Sequence, residues 1–176
     1  MQREFYYQYY STLMRICIRY SKNELDAEQW VHDGFIKIFG CLSQYQFLGS
    51  FEGWLKKIMV RFCIDQIRAQ NRQKNEVENN TVYNDHSYTD NDHFIENHIL
   101  EKFSAEDMTS VINNLPDKQR MVFNLHVFEE YSHKEIAPML QITENHSYWL
   151  LHQARKQLRE TLQKQVPKKT LKYEPK

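Results

Sequence analysis

Apolar and polar positions alternate along this chain with a helical rhythm. Phe5, Tyr9, Leu13, Ile16 and Tyr20 recur at steps of three and four, which places them on one face of a helix. After the cap-rich segment SKNELD the pattern repeats through Val31, Phe35, Ile38 and Leu42. In FLGSFEGWL, Ser50 stands where it can cap a third helix, on which Phe51, Leu55, Ile58 and Phe62 face inward. Lys57, Arg61, Arg68 and Arg72 share an adjacent side of that helix. Glycine and proline are scarce, and β-alternation of useful length is missing, so the expected fold class is all-α.

The rhythm breaks in QKNEVENNTVYNDHSYTDNDHFIENHIL, where Asn, Asp and Glu dominate. Residues 73–103 are expected to form a flexible acidic linker. Helical spacing resumes at SAEDMTSVINNLPDKQRMVF. Ser104 is a loose cap there, because Asp107 stands where a full capping box carries Glu or Gln. The SHKE segment is stronger: Ser132 with Glu135 forms a capping box that opens a short helix through Ile136, Ala137 and Leu140. A longer helix is predicted from about Thr143 to Leu162, with Ser147, Leu151, Ala154 and Leu158 facing the core. Two helices across a tight turn, the second ending in RKQLR, make a helix-turn-helix pattern. Antiparallel helix pairs without a DNA role share that pattern, so by itself it is only moderately specific. The predicted organisation is a helical domain over 1–72, the linker over 73–103, a helix-turn-helix domain over 104–166 and a basic tail over 167–176.

Composition sharpens this division. The 176 residues are 41% hydrophobic and 14% aromatic, enough to build a core, and they carry 23 cationic and 23 anionic side chains. The charges are segregated: about +4 over 1–75, about −7 over 76–106, near 0 over 107–166 and about +3 over 167–176. Cys17, Cys41 and Cys63 are far apart, each in an apolar setting and with no CxxC pair. Zinc and disulfides are therefore not expected, and the thiols read as small buried hydrophobes. Neither a signal peptide nor a membrane-spanning run is apparent, which fits the cytoplasm and no membrane insertion. The eight histidines are scattered without an HExxH motif, and His146 and His152 lie six apart, off a common face. The expectation is no metal, no cofactor and no enzymatic activity.

Two blocks carry a family resemblance. DAEQWVHDGFIKIF is similar to the core-polymerase-binding helix of extracytoplasmic-function (ECF) sigma factors of the sigma-70 family, whose usual form is close to DAEDLVQEVFLKLW. GSFEGWLKKIMVRFCIDQIR, which follows it, is similar to the segment that engages and melts the −10 promoter element. LPDKQRMVFNLHVFEEYSHKEIAPML, then ARKQL, resembles the domain that binds the −35 element. The blocks span most of 5–72 and 104–162, in the family's order. The resemblance implies two partners, core RNA polymerase and promoter DNA. It places Asp26, Glu28, Gln29, His32, Asp33, Phe35 and Ile36 against the polymerase; Gln29 and His32 depart from the family's usual Asp and Gln. In the family the connector threads toward the path of nascent RNA. The acidic linker here could occupy such a basic channel or serve as a solubilising spacer.

The residue types suit the implied chemistry. Bases of melted DNA bind by stacking on aromatic rings beside cations. Tyr45, Phe47, Phe51 and Trp54, with Lys56, Lys57, Arg61 and Arg68, supply both, and Gly49 and Ser50 shape the turn between them. By spacing alone, Phe51 and Trp54 serve equally well as core residues. Arg61 stands where the family frequently has Asn, which points to an altered −10 preference.

The −35 block departs further. The family's reading helix runs close to ISEGTVKSRLSRARKKL, against ITENHSYWLLHQARKQL here. Tyr148, Leu150 and Gln153 replace three basic positions, Asn145 replaces a Gly, and Gln141 replaces the turn glycine. Arg155 and Lys156 persist in later turns. Asn145, His146 and His152 remain for hydrogen bonds to base edges, and Thr143 and Glu144 complete the stretch expected to meet DNA or a partner. Each lost phosphate contact removes counterion release, so weak duplex binding with a shallow salt dependence is expected. Tyr148, Trp149 and Leu150 lie off the core stripe, and an exposed apolar row of this kind marks a protein contact. The partner would be an anti-sigma factor or a separate DNA-targeting protein that recruits the factor. The alternative is a rotated helix with Trp149 in the core. A further alternative in function is a polymerase-binding adaptor that opens no promoter itself.

Overall fold

The computed structural model describes residues 2–73 and 104–165. All described elements are helical and fall into two units, taken separately below. The expected linker over 73–103 and basic tail over 167–176 lie outside the described residues, apart from Gln73.

The first unit is α1 (Gln2–Tyr20), α2 (Glu24–Cys41), a 3-10 turn over Leu42–Gln44, and α3 (Phe51–Gln73). Each of the three α-helices packs on the other two. The Asn23 side chain accepts the Asp26 N–H at 2.8 Å and starts α2, and Ser50 Oγ accepts the Gly53 N–H at 3.0 Å at the start of α3. The stripe expected on α1 is buried at Leu13, Ile16 and Tyr20, while Phe5 and Tyr9 at its open end are half-buried. On α2 and α3 the core takes Val31, Phe35, Ile38, Leu55 and Phe62 as expected, and adds Trp30, Met59 and Ile67. Leu42, expected on the apolar face of α2, stands past the helix end and is exposed.

Sulfur fills the centre of this unit. Cys17 Sγ lies 3.5 Å from Met59 Sδ and 3.9 Å from Cys63 Sγ, and all three residues are fully buried. Cys41, expected in the interior, is half-buried instead because it ends α2. Gly34 faces this cluster, and a Cβ there would collide with the end of the Met59 side chain. Its lack of a side chain is what lets Met59 fill the gap between α2 and α3.

The second unit is α4 (Ala105–Asn113), α5 (Asp117–Val127), α6 (His133–Leu140) and α7 (Glu144–Gln165). The long α7 packs against all three others. Ser104 and Asp107 make a complete capping box despite the short acid: Ser104 Oγ accepts the Asp107 N–H, and the carboxylate accepts the Ser104 N–H, both at 3.1 Å. At α6 the Glu135 carboxylate accepts the Ser132 N–H at 2.9 Å and its hydroxyl at 2.7 Å. Between α4 and α5 the buried Arg120 guanidinium donates to Asn113 O (3.0 Å), Leu115 O (3.3 Å) and Asp117 Oδ1 (2.8 Å). Burial pulls its pKa down, and the charge of Asp117 and its hydrogen bond oppose that shift.

The turn between α6 and α7 is three residues long. Gln141 sits in the left-handed region at φ 56°, ψ 45°, and the Ile142 N–H closes back onto Ala137 O at 3.0 Å. A side chain in this conformation carries a steric cost that glycine does not. Thr143 Oγ1 then accepts the His146 N–H at 3.1 Å and caps α7, so that helix begins at Glu144.

Candidate nucleic-acid and partner-binding surfaces

The outer face of α2 is the first surface. Leu25, Gln29, His32 and Ile36 recur at steps of four, three and four and form one exposed stripe, with Glu28 beside it. Leu25 is 75% exposed and Ile36 70%, and two large aliphatic side chains in water on one helix face suit a protein partner. The sequence reading missed Leu25, although it stands eleven residues, three helical turns, before Ile36. Asp26 is half-buried and accepts from Asn23 Nδ2 at 3.1 Å, so it helps start the helix, and Asp33 is also half-buried. Phe35 does not belong to this surface. It is 2% exposed, and its ring packs 4.6 Å from Tyr6, 6.1 Å from Phe39 and 6.3 Å from Phe5. His32 is held against α1: Tyr6 Oη lies 3.1 Å from its Nδ1, and the two rings stack at 5.9 Å.

The second surface joins the loop after α2 to the start of α3. Tyr45, Phe47, Phe51 and Trp54 form one aromatic cluster. Tyr45 centres on it, with ring centroids 4.8 Å from Phe47, 4.9 Å from Phe51 and 5.3 Å from Trp54. Phe51 and Trp54 stack at 5.8 Å with 21° between planes, and both are half-buried, so each has a packed side and an open one. The choice left open by spacing, core or surface, resolves to both. Phe51 also touches Phe5 and Tyr9 of α1 at 5.9 Å. The loop tip is tightly turned. The Tyr45 hydroxyl donates to Gly49 O at 2.8 Å, with Phe47 at φ 59° and Gly49 at φ 95°. Phe47 and Leu48 are 83% and 84% exposed there. A bulky residue held left-handed with its ring in water is a strained position of the sort found at functional sites. Leu48 was not anticipated, since no periodicity extends into a loop. Further along α3, Lys57 and Arg61 are exposed, Arg68 is half-buried and paired with Asp65 at 3.9 Å, and Lys56 turns aside to Glu52 at 2.7 Å.

The third surface is the first half of α7, and here the expectation needs correcting. Leu150 is 4% exposed and His146 8%, so neither is presented to DNA or to a partner. Because α7 touches α4, α5 and α6 at once, its buried arc is wide and takes in His146 and Leu150 as well as Ser147, Leu151, Ala154 and Leu158. Tyr148 is half-buried and lies back on α6, its ring centroid 3.8 Å from that of His133. His133 is in turn stacked on His126 at 4.6 Å, and its Nδ1 is 2.8 Å from Ser147 Oγ, so α5, α6 and α7 meet around one imidazole. Trp149 is half-buried with its ring 6.0 Å from His146; it is neither core nor fully presented. Thr143, Glu144, Asn145 and Lys156 are exposed, and His152, Gln153 and Arg155 are half-buried. Arg155 is the first cation along α7.

Among the described residues no group of three His, Cys, Asp or Glu side chains could hold a metal ion, and no helix is long and apolar enough to cross a membrane.

Comparison with known proteins bears on both units. Residues 5–73 match the family model for sigma-70 region 2, and residues 105–158 match that for sigma-70, region 4. The ECF RNA polymerase sigma factor SigE of Mycolicibacterium smegmatis is 27% identical over 157 residues, covering 89% of this chain and 60% of that protein. A probable RNA polymerase sigma factor of Haemophilus influenzae is 25% identical over 157 residues, covering 82% of this chain and 81% of its own length. Among solved structures, the sigma factor RpoE in complex with the anti-sigma factor NepR from Bartonella quintana superposes with a TM-score of 0.57 at 17% identity. That match covers 94% of this chain and 98% of that one, and at such identity it speaks to the fold alone.

Proposed function

Because the chain belongs to the ECF/sigma-70 family of RNA polymerase sigma factors, we propose that it binds core RNA polymerase and directs transcription from promoters whose −10 element it engages itself. It is not an enzyme; the polymerase supplies all the chemistry. One observation carries the reading. The Tyr45–Phe47–Phe51–Trp54 cluster has half-open aromatic faces at the start of α3, and the exposed cations Lys57 and Arg61 follow Trp54 on that helix at steps of three and four, a combination that suits unstacked bases and their phosphates. Gly49 and Ser50 set the loop and the helix start, and Arg61 puts a cation where the family frequently has the neutral Asn.

Core polymerase docks on the Leu25–Gln29–His32–Ile36 stripe, with Glu28 and Asp33 at its border. The α6–turn–α7 pair is the helix-turn-helix of the second unit, and its −35 readout is weak, since Glu144, Asn145, Trp149 and His152 lead the helix before any cation. An anti-sigma factor or a separate DNA-targeting protein that recruits the polymerase would use Tyr148 and Trp149, with less apolar surface than three exposed side chains would have offered. The adaptor alternative, docking without promoter opening, lacks a use for the aromatic cluster.

Run-off transcription from genomic fragments with core polymerase tests the proposal, and Ile36→Glu is the informative variant. A charge at a 70% exposed position should leave the fold intact and abolish both polymerase co-purification and transcripts. Transcripts undiminished by Ile36→Glu would remove the docking assignment. Their absence with the parent chain, polymerase bound, would favour the adaptor.

A further inference from the structure

The cation stripe of α3 contains one anion. Lys57, Arg61, Asp65, Arg68 and Arg72 follow at steps of four, four, three and four, so all five lie on one face, with Asp65 in the middle. Asp65 also reaches across to α2. Its Oδ2 lies 3.5 Å from Lys37 Nζ and its Oδ1 3.9 Å from Arg68 Nη1, so one carboxylate engages cations from two helices. Lys37 is further fixed by its ammonium sitting 5.6 Å from the Phe62 ring centroid.

Stability does not account for this arrangement. The Asp65 side chain is 56% exposed and Lys37 43%, and ion pairs this open contribute little to folding. Their effect on a polyanion is larger. A carboxylate centred among five cations repels phosphate and occupies two of the groups that would otherwise release counterions on binding. A face without it would grip any DNA backbone, whereas selection among promoters depends on base contacts being decisive.

We propose that Asp65 is a specificity-determining residue. It holds Lys37 and Arg68 back from the phosphate backbone, so that engagement of DNA rests on the aromatic cluster and not on charge. Lys37 of α2 thereby joins the nucleic-acid face. This rests on the DNA-binding reading of α3.

The test measures fluorescence anisotropy of the full-length chain on a single-stranded oligonucleotide of random sequence across a potassium chloride series. For Asp65→Asn, one additional phosphate contact steepens the slope of log K against log salt by about 0.7, which amounts to about fivefold tighter binding at 0.1 M relative to a 1 M reference. Adding Lys37→Ala to Asp65→Asn should return part of that gain. A double variant, Lys57→Ala with Arg61→Ala, controls for the face itself and should loosen binding and flatten the slope. If that control loosens binding while Asp65→Asn leaves the slope unchanged or weakens affinity, the role of Asp65 is overturned and the DNA face stands. If the control itself changes nothing, the DNA face is misplaced and the inference falls with it.

Discussion

Replacing Arg120 with Met tests how the second unit is held together. Met keeps much of the side-chain volume, so no large cavity term enters, but it withdraws a buried donor from three acceptors at once. Asn113 O and Leu115 O lose their donor between α4 and α5, and Asp117 Oδ1, on a side chain only 11% exposed, loses its counter-charge at 2.8 Å. Breaking a buried ion pair from one side costs about 3–5 kcal/mol, chiefly because a charge is left uncompensated. That is comparable to a large part of a small domain's total stability of about 5–15 kcal/mol. Burial lowers the pKa of Arg120, and the charge of Asp117 and its hydrogen bond oppose that shift, so the two side chains depend on each other in this buried site. Hydrogen exchange read by mass spectrometry along a urea series separates α4–α7 from α1–α3 in the full chain. Protection of α5 and α7 should be lost at much lower urea in Arg120→Met, with α1–α3 unaffected. Arg120→Met combined with Asp117→Asn should recover a measurable part of the loss, because the largely buried carboxylate charge that faced Arg120 is then removed as well. A change within about 1 kcal/mol for the single variant would mean that these bonds are not formed in solution, and the argument would fail.

Two further outcomes follow from the turn and helix α7. Gln141→Gly relieves a side chain at φ 56° and should raise the stability of the second unit by roughly 1 kcal/mol, less the extra chain entropy of glycine, read as a shift in urea midpoint; a fall in midpoint would refute the strain. Tyr148→Lys with Gln153→Arg, leaving the buried Leu150 in place, should steepen the salt dependence of duplex binding by about 0.9 per phosphate contact made. The same pair should cost some stability, since the Tyr148 ring leaves His133, and unaltered salt dependence would show that α7 does not lie along DNA.

The sequence made the helices legible because helical periodicity needs only one buried side. The α1 stripe, the caps at Ser50 and Ser132 and the core run of Ser147, Leu151, Ala154 and Leu158 all follow from local chemistry. What it could not supply is the width of a buried arc, which depends on how many neighbours a helix touches. The spacing marks the centre of the α7 core face, but three partner helices extend burial to His146 and Leu150. Phe35 is the converse case. A resemblance placed it toward the polymerase, whereas the apolar spacing already puts it on the buried stripe of α2, and there the rings of Phe5, Tyr6 and Phe39 enclose it. Ser104 and Asp107 show a milder limit. The shorter acid closes its capping box because a helix start tolerates either chain length when the hydroxyl and carboxylate meet at about 3 Å.

The position of the first cation on α7 decides what the second unit can read. Arg155 comes eleven residues after Glu144, and at about 1.5 Å per residue this is roughly 16 Å along the axis. A reading helix contacts base edges with its N-terminal residues, and the major groove is about 12 Å wide. With the N-terminus in the groove, Arg155 therefore falls at or beyond its edge, where a guanidinium meets phosphate and not bases. In such a docking Asn145, Trp149 and His152 would face the groove, while Tyr148 is already engaged by His133. The proposed division of labour follows from that geometry: phosphate contacts at the far end of α7 supply orientation, while discrimination between promoters falls to Tyr45, Phe47, Phe51 and Trp54 in the first unit, or to a partner seated on Trp149.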